Sequence, residues 1–139
     1  GIDVSDMPGA GVAGGLGGAF RAYLGAELKR GVDLVLDQIG FDSVIAGADL
    51  VITGEGCSDY QTLKGKTAAG VLERAGRQHI PVALVSGAIR DEKMLKDRGF
   101  RIVEAVTPPT MSLEEAMRPE TAKRLVAIST RNILHHICI

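Results

Sequence analysis

The chain has no tryptophan, only two tyrosines and three phenylalanines, so aromatics make up 4% of its 139 residues. Reading nucleic-acid bases by stacking needs aromatic platforms that this sequence does not supply. Charge imbalance is missing too. Sixteen basic and seventeen acidic residues leave a formal net charge of −1, with neither a basic patch for nucleic acid nor an acidic tail that would stay disordered. No apolar run approaches the ~18 residues of a membrane span, and no residues form a secretory-leader pattern. Cysteine is limited to Cys57 and Cys138, too few for a disulfide scaffold and in keeping with a reducing cytoplasm. Glycine, by contrast, is abundant: 18 residues, of which Gly1, Gly9, Gly11, Gly14, Gly15, Gly17, Gly18 and Gly25 fall near the start. With 45% hydrophobic and 24% charged residues, the composition is that of one globular domain large enough to bury a core. The opening Gly1-Ile2, without methionine, and a loop-like stretch to Pro8 suggest a piece of something longer.

Periodicity divides the chain into alternating elements. Ala19 to Lys29 has Phe20, Leu24 and Leu28 on one helical face, with Lys29 and Arg30 suited to its negative end and Gly31 just beyond. Two short helices, Val32 to Gln38 and Phe41 to Ala46, flank Gly40. Residues 49–53 have the apolar character of a buried strand that breaks at Gly54-Glu55-Gly56. Thr67 to Gln78 is a helix with Val71, Leu72 and Ala75 inward, stopped before Pro81. Val82 to Ser86 is a second strand, Asp91 to Asp97 a helix closed by Gly99, and Phe100 to Val106 a third strand. Beyond Pro108 and Pro109, Ser112 caps Leu113 to Met117, with Glu115 in the capping-box position. A last helix, Glu120 to His136, carries Ala122, Val126, Ser129, Ile133 and Ile137 on one side. Strand and helix in alternation predict an α/β fold: a parallel sheet with helices on both faces, Rossmann-like in three layers. Ligands of such sheets bind beyond the strand C-termini. Here these are Thr53–Lys66, Ser86–Arg90 and Thr107–Thr110.

Three motifs compete for that edge. Gly9-x-Gly11-x-x-Gly14 has the letters of a dinucleotide fingerprint but no strand before it and no acid closing a following strand. It reads as small-residue packing or as a glycine loop whose N–H groups face an anion. Gly65-Lys66-Thr67 looks like the end of a P-loop, yet Tyr60 stands where that pattern needs glycine, and Glu55 and Asp59 would repel a triphosphate without a metal between. Lys66 at a helix N-terminus can still neutralise phosphate. Glu55 and Asp59 can hold Mg²⁺ or act as base on a hydroxyl; equally, Glu55 can bond its own loop and Asp59 can form an Asx-turn. His79, His135 and His136 do not compose a metal set, because adjacent helical residues diverge by about 100°. Cys57 has no sequence-local base.

Asp49-Leu-Val-Ile-Thr-Gly-Glu-Gly56, followed by Asp59-x-Gln61-Thr62-x-x-Gly65-Lys66 and Gly70-Val71, closely resembles the signature of the type I glycerate kinases. The upstream Gly9-Ala-Gly11-Val-Ala-Gly14-Gly15-Leu-Gly17, the segments Gly31–Asp37 and Pro81–Gly87, and Met111-Ser-Leu-Glu-Glu-Ala-Met117 fit the same family. At Cys57 the family pattern more often has arginine, so one phosphate-facing cation is missing. The resemblance implies phosphoryl transfer from ATP to a hydroxyl of D-glycerate with Mg²⁺, in a cytoplasmic two-domain α/β enzyme without a P-loop. This chain would be roughly its last third, lacking the N-terminal part of the same enzyme. Residues 1–30 would lie near the inter-domain cleft and 31–139 would form the C-terminal part of the α/β domain, incomplete relative to the family fold. Asp59 is then the first candidate to orient or deprotonate the hydroxyl, and Glu55 the candidate for Mg²⁺ or for fixing the loop, with Asp59 a second possible metal ligand. Gln61, Thr62 and Lys66 would bind phosphate or carboxylate. Gly54, Gly56, Gly65, Gly11, Gly14 and Gly15 would let backbone approach the ligand. No nucleic-acid or membrane partner is expected, and a homo-oligomer is open. Two other readings stand beside this one: a non-catalytic α/β module that binds a small acid or nucleotide, and, last, a nicotinamide dehydrogenase domain.

Overall fold

A computed structural model describes residues 2–62 and 65–137; Cys138 lies outside them. The elements are α1 (Val12–Leu24), α2 (Gly31–Gln38), α3 (Phe41–Val44), β1 (Val51–Ser58), α4 (Thr67–Arg77), β2 (Val82–Ile89), α5 (Glu92–Arg98), β3 (Ile102–Ala105), α6 (Leu113–Ala116) and α7 (Pro119–Ile137). The three strands form one parallel sheet in chain order. Each crossover passes through a helix, as parallel pairing requires. Strand side chains alternate between faces. Val82 and Leu84 of β2, with Val103 of β3, meet Val71 and Ala75 of α4 and Leu95 of α5, and Leu36 of α2 joins the same cluster. Ala83 and Val85 meet Ile133 of α7 on the other face. Helices therefore cover both sides of the sheet, the three-layer arrangement expected from the alternation.

Local chemistry sets several boundaries. The Asp91 side chain accepts from the Met94 N–H and Ser112 from the Glu115 N–H, so α5 and α6 start at side-chain caps. Gly25, in the left-handed region, ends α1 with its N–H on the Phe20 carbonyl.

The structure corrects some expectations. The first strand does not stop at Thr53: Gly54-Glu55-Gly56-Cys57-Ser58 continues it, because β2 itself runs to Ile89 and supplies ladder partners as far as Ser58↔Ile89. Helix α1 begins at Val12 and closes at Leu24, so Lys29 and Arg30 are not in its last turn, and Gly31 opens α2 rather than ending α1. The α1 stripe is not buried: Phe20 is 46% and Leu24 72% exposed. The third strand is shorter than its apolar run, Ile102–Ala105. On α7 the buried residues are Leu125, Ser129 and Ile133, whereas Val126 and Ile137 are exposed.

Charged side chains tie the α2–α3 pair to α4. Arg74, buried on α4, bonds Asp37 and Asp42. Arg30 bonds both Asp33 (2.7 Å) and Glu73 (2.6 Å). Hydrogen bonding to the Arg30 guanidinium holds the Glu73 carboxyl below the usual glutamate range, and that of Asp33 below the usual aspartate range. A depressed folded-state value means the unfolded chain binds the extra proton first. This contribution is therefore intact above the ordinary carboxylate range and is lost as pH falls through it. Urea midpoints measured from pH 6 down to pH 3 should fall, and Arg30→Met should flatten that fall. Both pairs are partly exposed, so the effect is modest and shrinks in salt.

Candidate active site

The C-terminal halves of β1 and β2 lie side by side, and glycine determines what can sit above them. A Cβ on Gly54 would come 2.7 Å from the Val85 carbonyl oxygen, and one on Gly87 would come 2.5 Å from that of Gly56. Side chains are excluded there, so backbone floors the space above. That space is a cavity of about 760 Å³ between the sheet and α6–α7, within the range of small-molecule sites. Thr53, Glu55, Cys57, Arg90 and Thr107 line its polar side, and Val85, Val106, Met117 and Leu125 its apolar side.

Glu55 is the hub of a hydroxyl network. Its Oε1 accepts from Ser58 Oγ at 2.9 Å and from Thr62 Oγ1. Ser58 Oγ lies 2.6 Å from Ser86 Oγ, and Ser86 Oγ donates to the Glu55 carbonyl at 3.1 Å. Ser58, Thr62 and Ser86 are at most 1% exposed. The other carboxylate oxygen of Glu55 has no protein partner among the described residues. Asp59 builds the turn that follows: its Oδ1 accepts from the Gln61 N–H at 2.8 Å, its carbonyl accepts from the Thr62 N–H, and its own N–H donates to Thr62 Oγ1 at 3.1 Å. This is the Asx-turn weighed for Asp59, and it leaves Oδ2 without a partner among the described residues. Gln61 is exposed, with its amide 3.4 Å from the Tyr60 hydroxyl. Lys66 is exposed at the N-cap of α4 and makes no ion pair among the described residues. Gly65 is in the left-handed region, where an added Cβ would meet Arg30 Cδ at 3.5 Å.

The glycine-rich segment opens elsewhere. Gly9 and Gly17 line a second cavity of about 660 Å³ with Leu16, Phe20 and Leu28. Ala13, Gly14 and Gly15 form a left-handed turn inside α1, and nothing lies within 4 Å of a Cβ added to Gly11, Gly14 or Gly15. The structure thus joins Gly54, Glu55, Gly56, Asp59 and Thr62 at the end of β1, places Lys66 at the start of α4, and leaves Gly11, Gly14 and Gly15 in the glycine-rich segment, outside the lining of both cavities. Sequence reasoning passed over Arg90, Ser58 and Ser86. Arg90 follows β2 directly, on the polar rim, and makes no ion pair among the described residues; its place in the Ser86–Arg90 strand end was the available signal. No three His, Cys, Asp or Glu side chains cluster as a metal cage among the described residues. Mg²⁺ needs none: one or two carboxylates with phosphates and waters complete its shell, and Glu55, whose second carboxylate oxygen has no partner among the described residues, fits that donor set.

A family model described as the glycerate kinase family matches residues 1–138. The chain belongs to the glycerate kinase family. It is 43% identical over 132 residues to a glycerate kinase of Bacillus cereus, covering 94% of this chain and 34% of that protein. It is 41% identical to the glycerate 2-kinase of Escherichia coli, covering 84% and 31%. A crystal structure described as a glycerate kinase 2 from Salmonella typhimurium LT2 superposes with a TM-score of 0.70 at 38% identity, over 98% of this chain and 34% of that one. The chain therefore spans about a third of the length of these glycerate kinases.

Proposed function

We propose that this chain supplies the acidic strand-end half of a site that phosphorylates D-glycerate from ATP. The observation that carries the proposal is the glycerate kinase family match over a chain whose two carboxylates and three sealed hydroxyls meet at the end of β1, just before Lys66 at the start of α4. Phosphoryl transfer depends on positioning and charge neutralisation more than on covalent chemistry by the protein. The Asp59 Oδ2, unbonded in its turn, is placed to orient the attacking hydroxyl and take its proton. Glu55, clamped by hydroxyls, fixes the turn to β1. Lys66 and the first-turn N–H groups of α4 attract the transferred phosphate, and Gln61 offers an amide to the glycerate carboxylate. Mg²⁺ would be held by Glu55, through the carboxylate oxygen that the hydroxyls leave free, and would supply charge neutralisation for the transferred group. Arg90 supplies a cation beside Cys57, where the family pattern more often carries arginine. No helix among the described residues is long and apolar enough to cross a membrane, and the proposed setting is the cytoplasm.

A second reading follows from the chain's length. Alone, at about a third of a family member, it can act as a binding module for a nucleotide or small acid. Both readings are tested by one series. The chain alone, and the chain joined to the first two thirds of a family enzyme, are given ATP, Mg²⁺ and D-glycerate, and phosphoglycerate is measured. Calorimetry with ATP and with glycerate runs in parallel. The expected result is turnover by the joined protein and none by the chain alone. A joined protein that folds and binds both substrates without forming phosphoglycerate would refute the kinase proposal.

A further inference from the structure

Ser58 at the end of β1 and Ser86 within β2 touch no substrate in the mechanism above, yet they are among the most deeply buried polar side chains described. Ser58 is 0% and Ser86 1% exposed. Their oxygens are 2.6 Å apart. Ser58 bonds the Glu55 carboxylate, and Ser86 bonds the Glu55 carbonyl. Glu55 and Ser86 are also register partners across the β1–β2 ladder. A buried hydroxyl costs stability unless bonded, and here both hydroxyls turn toward one residue. Thr62 reaches the same carboxylate oxygen from the turn. The carboxylate is thereby gripped on Oε1 alone, and through Thr62 it carries the turn that holds Asp59 and Gln61.

We infer that Ser86, acting through Ser58 and Glu55, is a positioning residue for the 59–62 turn. Strand β2 thus sets where the turn on β1 points. The inference rests on the proposed function for the meaning of that turn, but not for its measurement. Among the described residues no cation bonds Glu55, and the serines and Thr62 are the side chains that fix its rotamer. Asp59, Lys66 and Arg90 stand around the same strand ends without bonding it.

The test is a double-mutant cycle in this chain, read by amide hydrogen exchange. Ser86→Ala and Ser58→Ala should each speed exchange at the Asp59, Gln61 and Thr62 amides by roughly tenfold, the effect of losing one buried hydrogen bond. Amides of α7 around Leu125 and Ile133 should not change. The double variant should also be about tenfold faster rather than a hundredfold, because Ser86 acts on the turn through Ser58 and its loss adds nothing once Ser58 is gone. Ser86→Thr, which keeps the hydroxyl, should restore slow exchange, and it keeps the question open to measurement should an alanine variant fail to fold. Uniformly faster exchange over the whole chain, additive single effects, or no change at 59–62 would each overturn the inference. In the joined enzyme, Ser86→Ala should lower kcat with little change in the KM for glycerate. An exchange effect at the turn without glycerate kinase activity in the wild-type joined protein would overturn the functional proposal and leave the positioning role standing.

Discussion

Asp59→Asn in the joined enzyme should lower kcat by roughly two to four orders of magnitude, the usual range for removing a positioned acid–base group. Asparagine is the informative replacement because of what Asp59 already does. Its Oδ1 accepts from the Gln61 N–H at 2.8 Å, and the side-chain oxygen of asparagine can keep that bond. The turn therefore survives and only the charge and the second oxygen are lost. Thermal unfolding should coincide with wild type. Asp59→Ala would remove the turn bond as well, and its additional loss relative to asparagine would report the value of the turn. Near-normal turnover of Asp59→Asn would remove Asp59 from the chemistry and leave the other carboxylate of the edge, Glu55, as the remaining acid of the pair.

Leu84→Ala should destabilise this chain by roughly 2–5 kcal/mol, the range for a fully enclosed leucine. Leu84 is 0% exposed on the central strand and belongs to the cluster that joins β2 to α2, α4 and α5. Neighbours from three helices leave the site little room to collapse, which places the loss toward the upper part of that range. Domains are stable by only about 5–15 kcal/mol in total, so a large share of the folded population would be lost on warming. The control is Tyr23→Ala on α1, where an 87% exposed side chain should cost almost nothing. The measurement is the urea midpoint at constant slope. Equal losses at the two positions would mean that α1 is packed in solution in a way that exposure does not show.

The α/β class was legible because it rests on local signals. The run Val82 to Val85 is apolar on both faces, as a covered parallel strand must be. Ser112 and Gly99 are punctuation that needs no tertiary partner. The misjudged places are those where a distant segment decides. Gly54-Glu55-Gly56 reads as a strand breaker until β2 lies beside it with its own glycine, Gly87. Arg74 gives no local sign of its partners, since Asp42 and Asp37 are 32 and 37 positions away. Val126 and Leu125 are both apolar, and only the angle at which α7 crosses β2 and β3 chooses between them. In the site, Glu55 and Asp59 stood out because acids at a strand end are unusual. Ser58 and Ser86 did not, because a serine in an apolar run gives no sign that it will be sealed opposite another.

The three hydroxyls around Glu55 also allow a count of protons. With a carboxylate there, the side chains of Ser58, Thr62 and Ser86 bring three hydrogens to four contacts: two on Oε1, one between the serines and one on the Glu55 carbonyl. At any instant one contact is empty. Rotation of one serine O–H moves the gap between the serine–serine contact and one end, and two successive rotations carry it from the carboxylate to the carbonyl. The pair of strands thus contains a three-position rotor whose setting is felt at both ends of the same residue.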